Sequence, residues 1–267
     1  YQSKYNEMQQ RSLSVFEKEA ELRAKDIEAE FKRSFFQVES VGTLFSASAW
    51  VDHQEFKYFV ERVFSTFPEG RRLSIVHYID TQELSHFVDM MKLNSEPYLK
   101  NFQVFDFVKG QKVMPANIQG SKAIVLGYTY PISNSLNFHG RNITEKSPIY
   151  PKLLPVLNSG KAYISDLTPP IIPITLKPFF LYVYPIVKLD EQRQSKLVGL
   201  VTSSQYILDV FSSNLITQEA GRFDYIVEDN SGNQYFYPDE VFVASDKARS
   251  LELSQEVFRH PIDMVGN

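Results

Sequence analysis

Five histidines, His53, His77, His86, His139 and His260, have the widest chemical reach in this chain, because imidazole serves both as metal ligand and as general base near neutral pH. Two of them can share a metal only at spacings that turn both rings to one point, such as HExxH on a helix or HxH on a strand. No pair has either spacing, so no metal site is expected. Cysteine is absent, which removes disulfides, thiolate nucleophiles, CxxC redox chemistry and cysteine-ligated zinc. Neither GxSxG, GxxxxGKS/T nor GxGxxG occurs, and Gly160-Lys161 lacks the rest of a phosphate loop. The adjacent acids Glu228-Asp229 and Asp239-Glu240 fall at strand ends or turns, where carboxylates are ordinarily solvated. Asn142-Ile143-Thr144 matches a glycosylation acceptor, a pattern too short to carry a site. The chain is therefore expected to have no catalytic residue, no metal and no cofactor.

Composition narrows the remaining classes. With 267 residues, 43% hydrophobic and 22% charged, the chain is globular and long enough for one large core or two modest ones. Twenty-one Phe and fifteen Tyr supply large apolar surfaces, which suit a pocketed binding protein and an ordinary core alike. A net charge of −4 and the lack of any Lys/Arg run exclude nucleic acid as a partner. No stretch reaches the roughly 18 apolar residues of a membrane-spanning helix, and the first residues lack a signal-peptide pattern. The expectation is the soluble part of a longer, membrane-anchored protein, with anchors outside this segment.

The elements that would carry such a pocket follow from periodicity. Residues 1–46 hold no Pro, and no Gly before Gly42, and predict one long helix. Its apolar stripe runs through Leu13, Phe16, Ala20, Ala24, Ile27, Phe31, Phe35, Val38, Val41 and Phe45. A second series, Met8, Val15, Leu22, Ala29 and Phe36, recurs every seven residues and points elsewhere. Two apolar faces fit a stalk that pairs with its copy in a second subunit, and equally a helix buried between two layers of one monomer. Helices are predicted at 54–67, 81–93 with Thr81 as N-cap, 147–158 and 204–215. Strands are predicted at 72–79, 101–107, 122–131, 161–166, 179–187, 196–204, 223–229, 233–238 and 251–258. The short polar link 189–196 and the SGN turn at 231–233 favour antiparallel hairpins. The proline-rich stretch 167–178 cannot be a central strand, and reads either as a loop over the core or as a pocket wall. The fold class is α+β, with a stalk helix at 1–50, a larger lobe at 51–204 and a smaller one at 205–267.

The order of these segments resembles the CHASE family of extracytoplasmic sensors. EFKYFVERVFSTFP followed by RLSIVHYIDTQELSHF matches the family's early pattern, with Leu84 where the family commonly has Arg. Pro131-Ile132, Asn137, Gly140 with Asn142, Ser159-Gly160, the run from Phe179 to Pro185, and Leu197-Val198-Gly199 match its middle pattern. The resemblance covers roughly 160 residues. It implies a long N-terminal helix followed by two PAS-like lobes built on antiparallel sheets. It also implies a non-enzymatic sensor on the periplasmic or extracellular side of the bacterial inner membrane, relaying a small-molecule signal to a histidine kinase or a GGDEF-type diguanylate cyclase.

In the plant cytokinin receptors of that family an acidic side chain holds the purine, and the corresponding position here is near Ile149, a neutral aliphatic that cannot accept a charge-assisted hydrogen bond. The resemblance places other ligand-binding positions at Ile171, Val183 and Gly199. Strand alternation adds Leu181, on one face with Phe179 and Val183. The pocket is expected to be apolar. Gly199 leaves either room for a ligand or close packing of the long helix. A homodimer through the N-terminal helix is the expected assembly. The rival classes are a protein-binding periplasmic module and a hydrolase with dispersed catalytic residues.

Overall fold

The computed structural model describes residues 2–64, 71–94, 96–132, 138–170, 177–211, 225–237, 241–243 and 258–262. They fall in two compact units, Phe36–Tyr206 and Tyr1–Phe35 with Ile207–Asn267. Helix α1 (Gln2–Ala47) runs through both. Its expected stripe is buried from Ile27 onward, at Ile27, Phe31, Val38, Val41 and Phe45, whereas Leu13 is exposed. The seven-residue series is exposed throughout: Met8, Val15, Leu22, Ala29 and Phe36 all face solvent.

Residues 36–206 are built on a five-stranded antiparallel sheet. Its strands are β1 (Arg72–Asp80), β4 (Lys122–Tyr130), β5 (Tyr163–Ile164), β6 (Phe179–Leu189) and β7 (Ser195–Tyr206), in the order β4-β1-β7-β6-β5. The first and last strands in sequence are thus central neighbours. The hairpin expected at 189–196 joins β6 to β7, and Asp190 accepts from the backbone N–H groups of Gln192 and Gln194 at 2.9 and 2.8 Å. Residues 179–183 of β6 are all buried, as a strand covered on both faces requires.

One covering layer is α1 from residue 36 together with α2 (His53–Val63). Asp52 starts α2 with a capping box: its carboxylate accepts from Glu55 N–H at 2.8 Å, and its own N–H donates to the Glu55 carboxylate at 3.0 Å. Phe56 stacks on Tyr128 of β4 at 5.8 Å, and Phe45 meets Phe56 edge-on at 5.9 Å. Gly42 allows the Tyr184 ring to lie against the helix, where a Cβ would collide with it. Tyr184 donates to the Glu39 carboxylate at 3.3 Å. Arg71, 2% exposed, donates to Gln37 at 3.0 Å and to Ser203 at 3.2 Å, with Phe64 under its guanidinium.

The opposite face is covered by α4 (Tyr150–Ser159), whose Leu153 and Val156 pack with Val76, Ile124, Ile143, Phe179, Leu181, Val183 and Leu200. Each such burial is worth about 1.5–3 kcal/mol. Between β4 and α4 the backbone of 138–143 is laced to β4 by Gly140 N to Leu126 O (2.8 Å), Leu126 N to Arg141 O (2.9 Å) and Ile143 N to Ile124 O (2.7 Å). Its other side bonds Phe105. Gly140 has φ +85°, and a Cβ there would strike the carbonyl of Gln103, so only glycine fits.

Several local expectations change. Helix 81–93 is a 3₁₀ turn (Thr81–Glu83) followed by α3 (Leu84–Lys92), and Thr81 makes no cap; its hydroxyl points to the Ser121 carbonyl. Phe87 and Met91 are the residues α3 buries. The strand expected at 101–107 is shorter and lies later, as the hairpin of β2 (Asp106–Val108) and β3 (Gln111–Val113). Asn142 is buried and donates to Asp106 at 2.9 Å, which leaves it no role as a glycosylation site.

The other unit contains α5 (Ile207–Phe211) and a three-stranded antiparallel sheet, β8 (Tyr225–Glu228), β9 (Gln234–Tyr237) and β10 (Val241–Val243). Asp229 closes the SGN turn by accepting from Ser231 and Asn233 N–H groups, both at 2.9 Å, so this carboxylate has a turn-forming role. Within this unit His260 meets Glu28 of α1 at 2.9 Å. The expected helix beyond 211, the strand at 251–258 and Asp239-Glu240 lie outside the described residues.

Candidate ligand-binding site

Alternation along the two central strands divides their side chains between two jobs. Arg71 and Ser203 face the helix layer, while Arg72, Ser74 and Val76 of β1 and Thr202, Ser204 and Tyr206 of β7 face α4. Between that second set and α4 lies a cavity of ≈ 110 Å³. Its apolar wall is made by Val76, Leu126, Phe138, Ile143, Ile149, Leu153, Phe179 and Leu181. Hydroxyls are set among them; those of Ser74 and Thr129 share a hydrogen bond of 3.2 Å.

Two arginines line this cavity. Arg141 leaves the backbone beside Leu126, and its guanidinium lies 5.1 Å from the Phe107 ring centre and 5.7 Å from that of Phe138. Burial lowers its pKa from the usual arginine value. Among the described residues neither Arg72 nor Arg141 has a side-chain hydrogen bond or a carboxylate partner.

The sequence-expected positions separate on this geometry. Ile149, just before α4, and Leu181 of β6 line the cavity. Val183 is fully buried in the apolar cluster beside it, opposite Thr202, and is not part of the wall. Gly199 is on the other face of the sheet, level with His77 and Ile186. There is no space beside it: a Cβ would sit 2.8 Å from the Val76 carbonyl oxygen and 3.4 Å from Ile186 Cδ1. The close approach is made by β1, and not by the long helix. Ile171 lies outside the described residues. Arg72, Arg141 and the hydroxyls went unrecognised. Their signal is the polar alternation of Arg72 and Ser74, and of Thr202 and Ser204, in strands central enough to be buried.

A second cavity of ≈ 160 Å³ lies on the helix side, lined by Phe45, Trp50, Val51, His77, Ile186, Lys188 and Val198. Near it the buried His53 ring stands edge-on to Tyr98 (5.4 Å) and Tyr128 (5.4 Å), and Tyr98 tilts over His139 at 4.9 Å. Burial lowers the pKa of His53 against the opposing pull of Glu96, 3.6 Å away. Burial also brings His77 and His139 down to about 4. Tyr98 is raised, chiefly by burial. The described residues contain no group of three or more His, Asp or Glu placed to hold a metal.

No family model matches the chain, and no curated protein does. Among solved structures it is similar to the periplasmic sensory domain of the Campylobacter jejuni chemoreceptor Tlp1. The identity is 11%, the TM-score 0.42, and the match covers 89% of this chain and 73% of that one. No helix among the described residues is long and apolar enough to cross a membrane.

Proposed function

We propose that this chain is an extracytoplasmic sensor domain of CHASE type that binds a small molecule in the cavity between its sheet and α4. The observation that carries this is the cavity's position. Its wall residues on β1 and β7 alternate with residues that grip α1: Arg72 follows Arg71, which holds Gln37, and Thr202 and Ser204 flank Ser203. A ligand that shifts either central strand acts on the helix through one peptide unit. It biases two arrangements of that contact only by its difference in affinity for them. The lobes are taken as 1–50, 51–204 and 205–267, with membrane anchors outside this segment.

Assembly as a homodimer through α1 belongs to the same proposal. Met8, Val15, Leu22, Ala29 and Phe36 are exposed at the seven-residue period of a two-helix seam, so an identical helix is the partner whose spacing fits. The test of function is thermal unfolding across a metabolite library. A ligand at about 100 times its Kd adds roughly 2.7 kcal/mol and raises the midpoint. The hit should disappear in Thr202→Phe, which fills the cavity. A library without hits, beside a tight protein partner, would make the chain a protein-binding module instead.

A further inference from the structure

The geometry points to a small carboxylate with an apolar body as the ligand class of this cavity, through an ion pair with Arg141. The inference rests on the cavity being the ligand site. Arg141 is half-buried beside this apolar cavity, and the part of its guanidinium's hydration lost there is costly unless something offsets it. Phe107 and Phe138 engage the group through cation–π contacts, which satisfy charge but use none of its N–H donors. No described carboxylate takes those donors. The donors form a planar fork, whose matching acceptor is a carboxylate, itself planar, with two oxygens.

Arg72, on the same wall, adds a second positive charge and keeps cations out. The rest of the wall is chiefly aliphatic and aromatic, so the body of the ligand must be apolar. Size sets a further bound. At about 10–15 Å³ per water-sized group, the cavity holds roughly seven to eleven such groups, the bulk of a short-chain acid.

The test measures binding of straight-chain carboxylates from butanoate to octanoate to the 267-residue chain by calorimetry, beside the amide and the amine of each. The expected result is saturable carboxylate binding, amides weaker by at least tenfold, and no amine binding. Arg141→Gln should bring the carboxylate down to the affinity of its amide, and Arg141→Lys should restore part of the difference. If Arg141→Gln does not fold, Arg72→Gln and Arg141→Lys decide by the same comparison. Amides binding as well as acids, or acids binding undiminished in both glutamine variants, would overturn the carboxylate class. The cavity itself would survive if a neutral library hit remains sensitive to Thr202→Phe. No binding by any acid, with no such hit, would remove both.

Discussion

Arg141 and the histidines His53, His77 and His139 show how the same physics, desolvation of a charge, has opposite outcomes. A guanidinium keeps its proton and needs partners, whereas an imidazole gives its proton up. His139 is 7% exposed with a pKa near 4, against 6.5 when unfolded. Since the folded group binds fewer protons, its contribution is fully present above pH 6.5 and is lost as pH falls from 6.5 towards 4. The loss is on the order of 3 kcal/mol. His77 acts in the same window, and His53 in the same direction. The melting midpoint should therefore fall steeply between pH 6.5 and 4.5, and His139→Phe should flatten that slope; an unchanged slope would assign the effect elsewhere. At Gly199 the expected change is steric. Gly199→Ala pushes a methyl against the Val76 carbonyl and should cost about 1–3 kcal/mol in denaturant unfolding.

Among the elements, α1 and β1 are joined by the contacts on which the proposed relay depends. From Phe36 to Ala47 the helix is held to the sheet by Arg71–Gln37, Tyr184–Glu39 and the bond from Val187 N–H to the Ser46 hydroxyl (3.1 Å), with apolar packing at Val38, Val41 and Phe45. Gln37→Leu removes an acceptor from a guanidinium with almost no access to water. A loss of about 1.5–3 kcal/mol is expected, as for hydrogen bonds to charged groups. In a ligand-binding form of the protein, the same variant should also weaken the link between cavity and helix, read as a smaller change in hydrogen exchange of residues 36–47 on ligand addition. Equal exchange changes in both forms would remove Arg71 from the relay.

For the whole molecule, the open matter is the exposed seam of α1. Met8 is 71%, Leu22 62% and Phe36 64% exposed. Sedimentation at rising concentration should show a monomer–dimer equilibrium, and Leu22→Glu, which places like charges across the seam, should abolish it. A monomer at every concentration, whatever residue 22 is, would mean that the helix pairs only when tethered or not at all; tethering raises effective concentration to the millimolar range for short links.

The long helix, the antiparallel sheet and the β6–β7 hairpin were legible in the sequence because each depends on local period and turn chemistry: no Pro or Gly before residue 42, runs of alternating or continuous apolar residues, and Asp190 in a polar link. The two faces of α1 were legible for the same reason, as both are periods within one segment. The wall of the cavity was legible only in part, at Ile149 and Leu181. Which face of a strand looks into a cavity depends on what packs against the sheet. That choice was made by α4 on one side and by Gly42 with Tyr184 on the other. Gly199 illustrates the limit: glycine in a strand permits either an open space or a close approach, and the nearness of the β1 backbone decided for the second. Arg141 reaches the cavity wall because its backbone is laced to β4 at residues roughly 15–20 positions earlier in the chain, a pairing that no local pattern encodes.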